Sequence, residues 1–322
     1  MNKKILGMGN AVLDIVASVT DEFLRTENLS KGSMVLVDQE QSDKILKEIN
    51  PIKKDSGGSV ANTIAAISLL GLNSFFCGKV KKDHLGDDFV ADMQKTKTKF
   101  LCDQSSTGLP TARCIVFVTP DGERSMQTFL GASTTLDEED IKKDFFNEID
   151  YLLIEGYLWS SKTARVAIHK AIEIAKLKNI KVIFSLSDSN LVKMYKDDFL
   201  KLSKSNVNIL IGNENEFNEL LGDNDLSSFF KTKQVEMIVK TMGQRGVEVF
   251  ELGQSEIIPS FEVESVIDTT GAGDMFAAGF LYKLLEGNGP KESALFGCKL
   301  ASQIIKQYGA RLTKEDMRKI NV

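Results

Sequence analysis

Histidine is scarce in this chain: His84 and His169 are the only two in 322 residues. A Ser-His-Asp hydrolase or a histidine-rich metal centre therefore has little material to work with. The four cysteines, Cys77, Cys102, Cys114 and Cys298, are scattered without Cys-x-x-Cys spacing. They read as reduced, mostly buried thiols of a cytoplasmic protein rather than as a zinc site or a disulfide framework. No uninterrupted apolar run of about 18 residues occurs, and the stretch from Met1 to Gly7 is too short and too polar for a signal peptide. No membrane partner is expected. Basic charge is not in excess either, with 40 basic against 45 acidic residues and a net charge of −5. Clusters such as Lys79-Val80-Lys81-Lys82 read as solvated faces, so nucleic acid is not an expected partner. Also missing are Gly-x-x-x-x-Gly-Lys-Ser/Thr and the protein-kinase set, and Gly7-Met8-Gly9-Asn10 lacks the third glycine of a dinucleotide fingerprint.

What is present is an ordinary globular composition, 42% hydrophobic and 26% charged, in a chain long enough for a sizeable core. From residue 150 onward strand-like and helical runs alternate. Strands are expected at 150–155, 181–186, 207–211, 236–241, 247–250 and 263–267, and helices at 60–70, 163–178 and 292–307. Such alternation predicts an α/β fold with a mainly parallel sheet covered on both faces. Two stretches, 10–38 and 97–131, break the pattern with short strand-like runs and turn signals such as Pro120-Asp121-Gly122. They predict hairpins, hence a small β lid in two parts. Residues 1–9, 39–96 and 132–322 are then the large domain. With five prolines and no long linker, one body plus a lid is expected.

Near the C-terminus, Asp268-Thr269-Thr270-Gly271-Ala272-Gly273-Asp274 stands directly before the apolar run 275–281. Small residues at the start of a helix let backbone N–H groups converge, and the helix dipole adds positive character, so the segment suits an anion. Asp274 is out of place if anion binding is the only task. It makes sense where phosphate charge develops beside a hydroxyl that must lose its proton, which is phosphoryl transfer to an alcohol.

That seven-residue segment resembles the signature of the ribokinase-like (phosphofructokinase-B) family of small-molecule kinases. The resemblance extends from about residue 5 to 311 and implies a three-layer ribokinase-like sandwich with a small β-sheet lid. It implies that Asp274 is the catalytic base and that Gly271, Ala272 and Gly273 form the anion hole. Ser56-Gly57-Gly58-Ser59-Val60-Ala61-Asn62 resembles the family's Gly-Gly motif before a helix, so Gly57, Gly58, Ser59 and Asn62 are expected to grip sugar hydroxyls. Asn10 and Asp14, in Gly9-Asn10-Ala11-Val12-Leu13-Asp14, match the residues that take two vicinal hydroxyls. Asn213 and Glu216 match the Asn-x-x-Glu pattern that organises Mg²⁺, often through water. Thr241, Gly243 and Gly246 match a turn lying along the ATP phosphates. Asp268 and Thr270 are implied as ligands of a possible K⁺, and Arg124 as a lid residue facing the site. Within the family, Glu155-Gly156-Tyr157-Leu158 is similar to the adenosine-kinase branch, where an aromatic at the position of Tyr157 stacks on the purine. Asn190 departs from that branch, standing where an aromatic would complete the sandwich. The expected reaction is ATP-dependent phosphorylation of adenosine to AMP. Phosphorylation of ribose or fructose, or binding of a nucleoside without turnover, are the alternatives. A monomer, or a homodimer through the lid, is implied.

Overall fold

The computed structural model describes residues 3–222, 226, 229, 234–251 and 253–320. The chain begins with β1 (Ile5–Met8), β2 (Val12–Ser18), α1 (Asp21–Thr26), β3 (Met34–Leu36), α2 (Gln39–Glu48) and β4 (Pro51–Gly57). Next come α3 (Ser59–Leu69), β5 (Ser74–Cys77), α4 (His84–Lys95), β6 (Lys99–Phe100), β7 (Ala112–Val118) and β8 (Arg124–Phe129). The second half holds β9 (Tyr151–Glu155), α5 (Lys162–Leu177), β10 (Lys181–Ser185), α6 (Ser189–Met194) and α7 (Lys196–Asn206). It continues with β11 (Ile209–Asn213), α8 (Glu214–Leu221), β12 (Met237–Thr241), β13 (Val247–Glu251) and β14 (Gln254–Ile258). Three helices close it: α9 (Ala272–Glu286), α10 (Pro290–Ile304) and α11 (Lys314–Lys319).

Nine strands form the large sheet in the order β14-β13-β12-β11-β10-β9-β1-β5-β6. Every pairing from β6 to β12 is parallel, and β13 and β14 add an antiparallel edge. Side chains alternate across the strands, so one sheet supplies two cores. Ile5, Leu153, Ile183 and Ile209 pack with α3, α9 and α10 on one face. Leu6, Leu152, Val182 and Leu210 pack with α5, α7 and α8 on the other. Each such side chain contributes roughly 1.5–3 kcal/mol on burial, which holds the three layers together.

The second sheet, β3-β8-β7-β2-β4, is the lid. Leu13, Ile15, Ile115 and Phe117 on its inner face join the main core, while Val12, Ala112, Cys114 and Val116 form a separate patch on the opposite face. The β7–β8 hairpin turns at the expected Pro120-Asp121-Gly122, where Gly122 N–H donates to Thr119 O at 2.8 Å. The lid boundaries differ from expectation in three ways. No hairpin lies within 10–38, because β2 runs parallel to β7 and β3 parallel to β8, with α1 between them. Strand β4, assigned by sequence to the large domain, pairs antiparallel with β2. Its exposed Pro51-Ile52-Lys53-Lys54 start lacks the buried alternation that signals a strand. Strand β6, counted in the lid segment, extends the large sheet beside β5. The strand expected at 263–267 is also absent: Val266 and Ile267 are exposed, and the N–H of Ile267 donates to Ile305 O at 2.8 Å.

Candidate active site

The parallel strands all end at one edge of the sheet, the usual place for a ligand crevice in an open α/β fold. β1 delivers Gly9 and Asn10 there, β9 delivers Glu155 and Tyr157, and β11 and β12 deliver Asn213 and Thr241 in register. The start of α9 closes this edge. Gly271 caps the helix with φ 75°, and a Cβ on it would lie 2.6 Å from the backbone of Ala310, so glycine is required. The first-turn N–H groups at Gly273 and Asp274 have no intrahelical carbonyl to meet. Gly273 is exposed, and a Cβ there would have nothing within 4 Å, so these donors are open to an anion.

Asp274 is the first-turn carboxylate. Its Oδ1 accepts from Ser59 Oγ at 2.7 Å, and its Oδ2 from Asn62 Nδ2 at 2.9 Å. Burial pushes its pKa above the ordinary aspartate value, while the bonds from Asn62 and Ser59 and the nearby charge of Arg311 pull it down. A carboxylate both held and made more basic suits a general base.

Ser59 and Asn62 come from the start of α3, whose cap Gly58 has φ 98° and whose placement is set by Glu155. The Glu155 carboxylate is fully buried. Its Oε1 accepts from Asn10 N–H at 2.7 Å and its Oε2 from Val60 N–H at 2.9 Å. It thereby ties the loop after β1 to the first turn of α3. Among the described residues no basic side chain forms an ion pair with it, and burial raises its pKa to about 7. Asp14, on the open face of β2, lies against Gly57, where a Cβ would be 2.5 Å from Asp14 Oδ2. Burial raises Asp14 to about 7 as well, opposed by Arg311 and then reinforced by Asp55. The structure thus brings Asp14, Gly57, Gly58, Ser59 and Asn62 beside Asp274.

From β8, Arg124 reaches the segment just before α9. Its Nη1 bonds Asp268 Oδ2 and lies 3.4 Å from Thr270 Oγ1, and the guanidinium sits 5.6 Å from the centre of the Tyr308 ring. Asp268 also accepts from Thr270 N–H and Gly309 N–H, both at 3.0 Å. Among the described residues Arg124 Nε is buried without a protein partner.

Where β11 runs into α8, Asn213 and Glu216 form a capping box. Glu216 Oε2 accepts from Asn213 N–H at 2.9 Å and Oε1 from Asn213 Nδ2 at 2.7 Å. Burial raises Glu216 to about 7. With both oxygens engaged, Glu216 fits a hydrated Mg²⁺ held through water better than a direct bond. Among the described residues no three His, Cys, Asp or Glu side chains are grouped to hold a metal. Thr241 ends β12, and Gly243 and Gly246 shape the turn into β13, closed by Met242 N–H to Gly246 O at 2.8 Å. Tyr157, just after β9, is partly buried. Burial raises its hydroxyl pKa, and Asp188, Asp274, Glu155 and Glu216 all contribute in the same direction. Asn190 is exposed at the start of α6.

Sequence reasoning missed Arg311, Asp92 and the role of Ser56. Arg311 Nε donates to Asn62 Oδ1 at 2.8 Å and its Nη1 bonds Ser56 Oγ, while Ser56 N–H donates to Asp92 Oδ2 at 2.9 Å. Glu155 reads in the sequence only as the end of a strand and part of a family likeness. The fold also brings Cys77 and Cys102, which no sequence motif links, to a Sγ–Sγ distance of 3.0 Å.

The model of the pfkB family of carbohydrate kinases matches residues 25–317. Among solved structures, adenosine kinase from Sinorhizobium meliloti is 33% identical with a TM-score of 0.87, covering 99% of both chains. A probable sugar kinase from Rhizobium etli CFN 42 is likewise 33% identical with a TM-score of 0.87, covering 99% of this chain and 97% of its own. The 5-dehydro-2-deoxygluconokinase of Halalkalibacterium halodurans is 26% identical over 280 residues, 82% of this chain and 84% of its own. Fold, family model and relatives agree that this chain belongs to the pfkB family of carbohydrate kinases, phosphotransferases acting on sugar or nucleoside alcohols.

Proposed function

We propose that the protein transfers a phosphoryl group from ATP to the hydroxymethyl group of a nucleoside, with adenosine, giving AMP, as the first choice. One observation carries the reading of the chemistry. The Asp274 carboxylate is held by Ser59 and Asn62 in the same first turn in which the Gly273 and Asp274 N–H groups lack an intrahelical carbonyl and Gly273 is exposed. In this proposal Asp274 takes the hydroxyl proton, the amides and Arg124 stabilise charge on the transferring group, and Asp14 holds two sugar hydroxyls. Thr241, Gly243 and Gly246 would hold ATP, and Glu216 would hold Mg²⁺ through water, the metal supplying neutralisation of phosphate charge. Activity is therefore expected to vanish in EDTA and return with Mg²⁺; full activity in EDTA would contradict this part. Potassium beside Asp268 and Thr270 would compete with Arg124 for one carboxylate.

The partly buried ring of Tyr157 favours a nucleoside, because a purine stacked on it gains roughly 0.5–1.5 kcal/mol beyond area burial. A free sugar is the second reading, favoured by the polar wall Ser187-Asp188-Ser189-Asn190 where a second aromatic would be needed. Catalytic efficiency of wild type and Tyr157→Ala, each with adenosine and with ribose, separates the two. Adenosine preferred by wild type and selectively lost in Tyr157→Ala supports the nucleoside. Equal use of both acceptors, or an effect of Tyr157 blind to the base, moves the reading to a sugar kinase.

A further inference from the structure

We propose that Arg311 is a positioning residue for the general base: through Asn62 its guanidinium fixes which way the Asp274 carboxylate faces, and its charge balances the carboxylates gathered around the acceptor. The inference rests on the reading of Asp274 as the base and adds a residue that this reading does not contain.

The geometry is a two-step relay. Arg311 Nε donates to Asn62 Oδ1 at 2.8 Å, and Asn62 Nδ2 donates to Asp274 Oδ2 at 2.9 Å. An amide on its own can turn over and offer either end to its neighbour. Here it cannot, because a guanidinium only donates, so the oxygen of Asn62 must face Arg311 and the NH₂ must face Asp274. Asn62 is 4% exposed, which leaves little water to substitute for either partner. Arg311 is itself anchored: Nη1 bonds Ser56 Oγ and lies 3.5 Å from Asp92 Oδ2, and Nη2 lies 3.5 Å from Met93 Sδ. The arginine follows directly on Ala310, whose backbone packs against Gly271 at the anion hole. One segment thus touches both the amides that would receive phosphate and the residue that orients the base.

Charge supports the same role. The carboxylates facing Arg311 are Asp92 from α4, Asp14 from β2, Asp55 from β4 and Asp274 from α9. Arg124 from β8 also faces Asp14, and Glu155 from β9 faces the Asp274 region. Burial favours the protonated form of Asp274, and Arg311 opposes it. Without the guanidinium, a larger share of the enzyme would carry a protonated base at neutral pH.

The test is steady-state kinetics across pH with ATP and the acceptor that wild type phosphorylates fastest. Arg311→Gln is expected to lower kcat about tenfold or more and to move the acid limb of kcat/KM upward by about half a pH unit, with the ATP KM unchanged. Arg311→Lys should keep the acid limb near wild type yet lose kcat, because an ammonium restores charge but not the fork that orients Asn62. In an Asn62→Ala background, Arg311→Lys should cost less than about twofold further, as expected for a residue acting through Asn62. Wild-type kcat in both Arg311 variants, or an equal cost with and without Asn62, would overturn the inference. If Arg311→Gln does not fold, Arg311→Lys and the double variant still decide. An inactive Asp274→Asn beside unaffected Arg311 variants removes this inference alone, whereas a fully active Asp274→Asn removes the base reading and the inference with it.

Discussion

In the proposed reaction Asp274 takes a proton and Asp14 holds hydroxyls, and each assignment has its own test. Replacing Asp274 by Asn keeps the shape and the favourable first-turn position but removes the proton acceptor. Turnover is expected to fall by about 10²-fold or more while the protein stays folded. Near-wild-type turnover would sink the assignment. Asp14→Ala removes a charge-assisted pair of bonds worth about 1.5–3 kcal/mol each. The acceptor KM should therefore rise at least about tenfold while the ATP KM stays within about twofold; a parallel change in both would mean that Asp14 only supports the lid. These two carboxylates were legible in the sequence because each sits in a short motif with a fixed spacing to glycines. Arg311 was not, since its meaning lies in contacts with Asn62 and Ser56, far away along the chain. Glu155 was hidden for another reason. A glutamate ending an apolar strand reads as the first exposed residue after it, whereas here it is buried against two backbone N–H groups.

Helix α3 carries Ser59 and Asn62 to Asp274, and its start is fixed by conformation rather than by a side-chain cap. Gly58 has φ 98°, and a Cβ there would run into the carbonyl oxygen of Asn10. Gly58→Ala should cost about 1–3 kcal/mol of stability through strain at a left-handed position. It should also lower kcat, because the turn that orients Ser59 and Asn62 must shift. Denaturant unfolding beside kinetics checks both, and unchanged values would show that the turn relaxes without moving the site. At this scale most of the alternating strands and helices after residue 150 were readable from hydrophobic period, with ends moved by only a few residues, while the strand expected at 263–267 is absent. α10, for instance, runs from Pro290 to Ile304 where 292–307 was expected. The lid was harder. Its strands pair across long sequence separations, β2 with both β4 and β7, so local turn signals identify only the β7–β8 hairpin. Strand β4 is solvated along most of its length and leaves no apolar trace.

Across the whole molecule, the edge where the parallel strands end gathers carboxylates that the fold would hold more easily as neutral groups. Asp14 from β2, Glu155 at the end of β9 and Glu216 in the first turn of α8 are each raised to about 7 by burial. Their ordinary values are 3.8 for Asp14 and 4.5 for both glutamates. The sign follows from proton linkage. Between about pH 4 and 7 the folded protein holds protons that the unfolded chain has released, so stability falls as pH rises through that window and levels off above it. Carboxylates held below their ordinary values, such as Asp92 and Asp121, act at more acidic pH. A tenfold change in proton affinity on folding is worth about 1.4 kcal/mol at most, and relaxation and water entry reduce it. The ligand-free protein should therefore melt several degrees lower at pH 8 than at pH 5.5, on the order of 5 °C for a chain of this length. Glu155→Gln should flatten that slope and cut activity at the same time, because an amide can accept only through one oxygen and turns a donor toward Asn10 or Val60. Melting curves at matched ionic strength decide the matter. A melting temperature that rises from pH 5.5 to 8, or a slope unchanged in Glu155→Gln, would show that these carboxylates are solvated enough to ionise without cost. The tie between the two loops would then rest on a carboxylate already charged at mildly acidic pH.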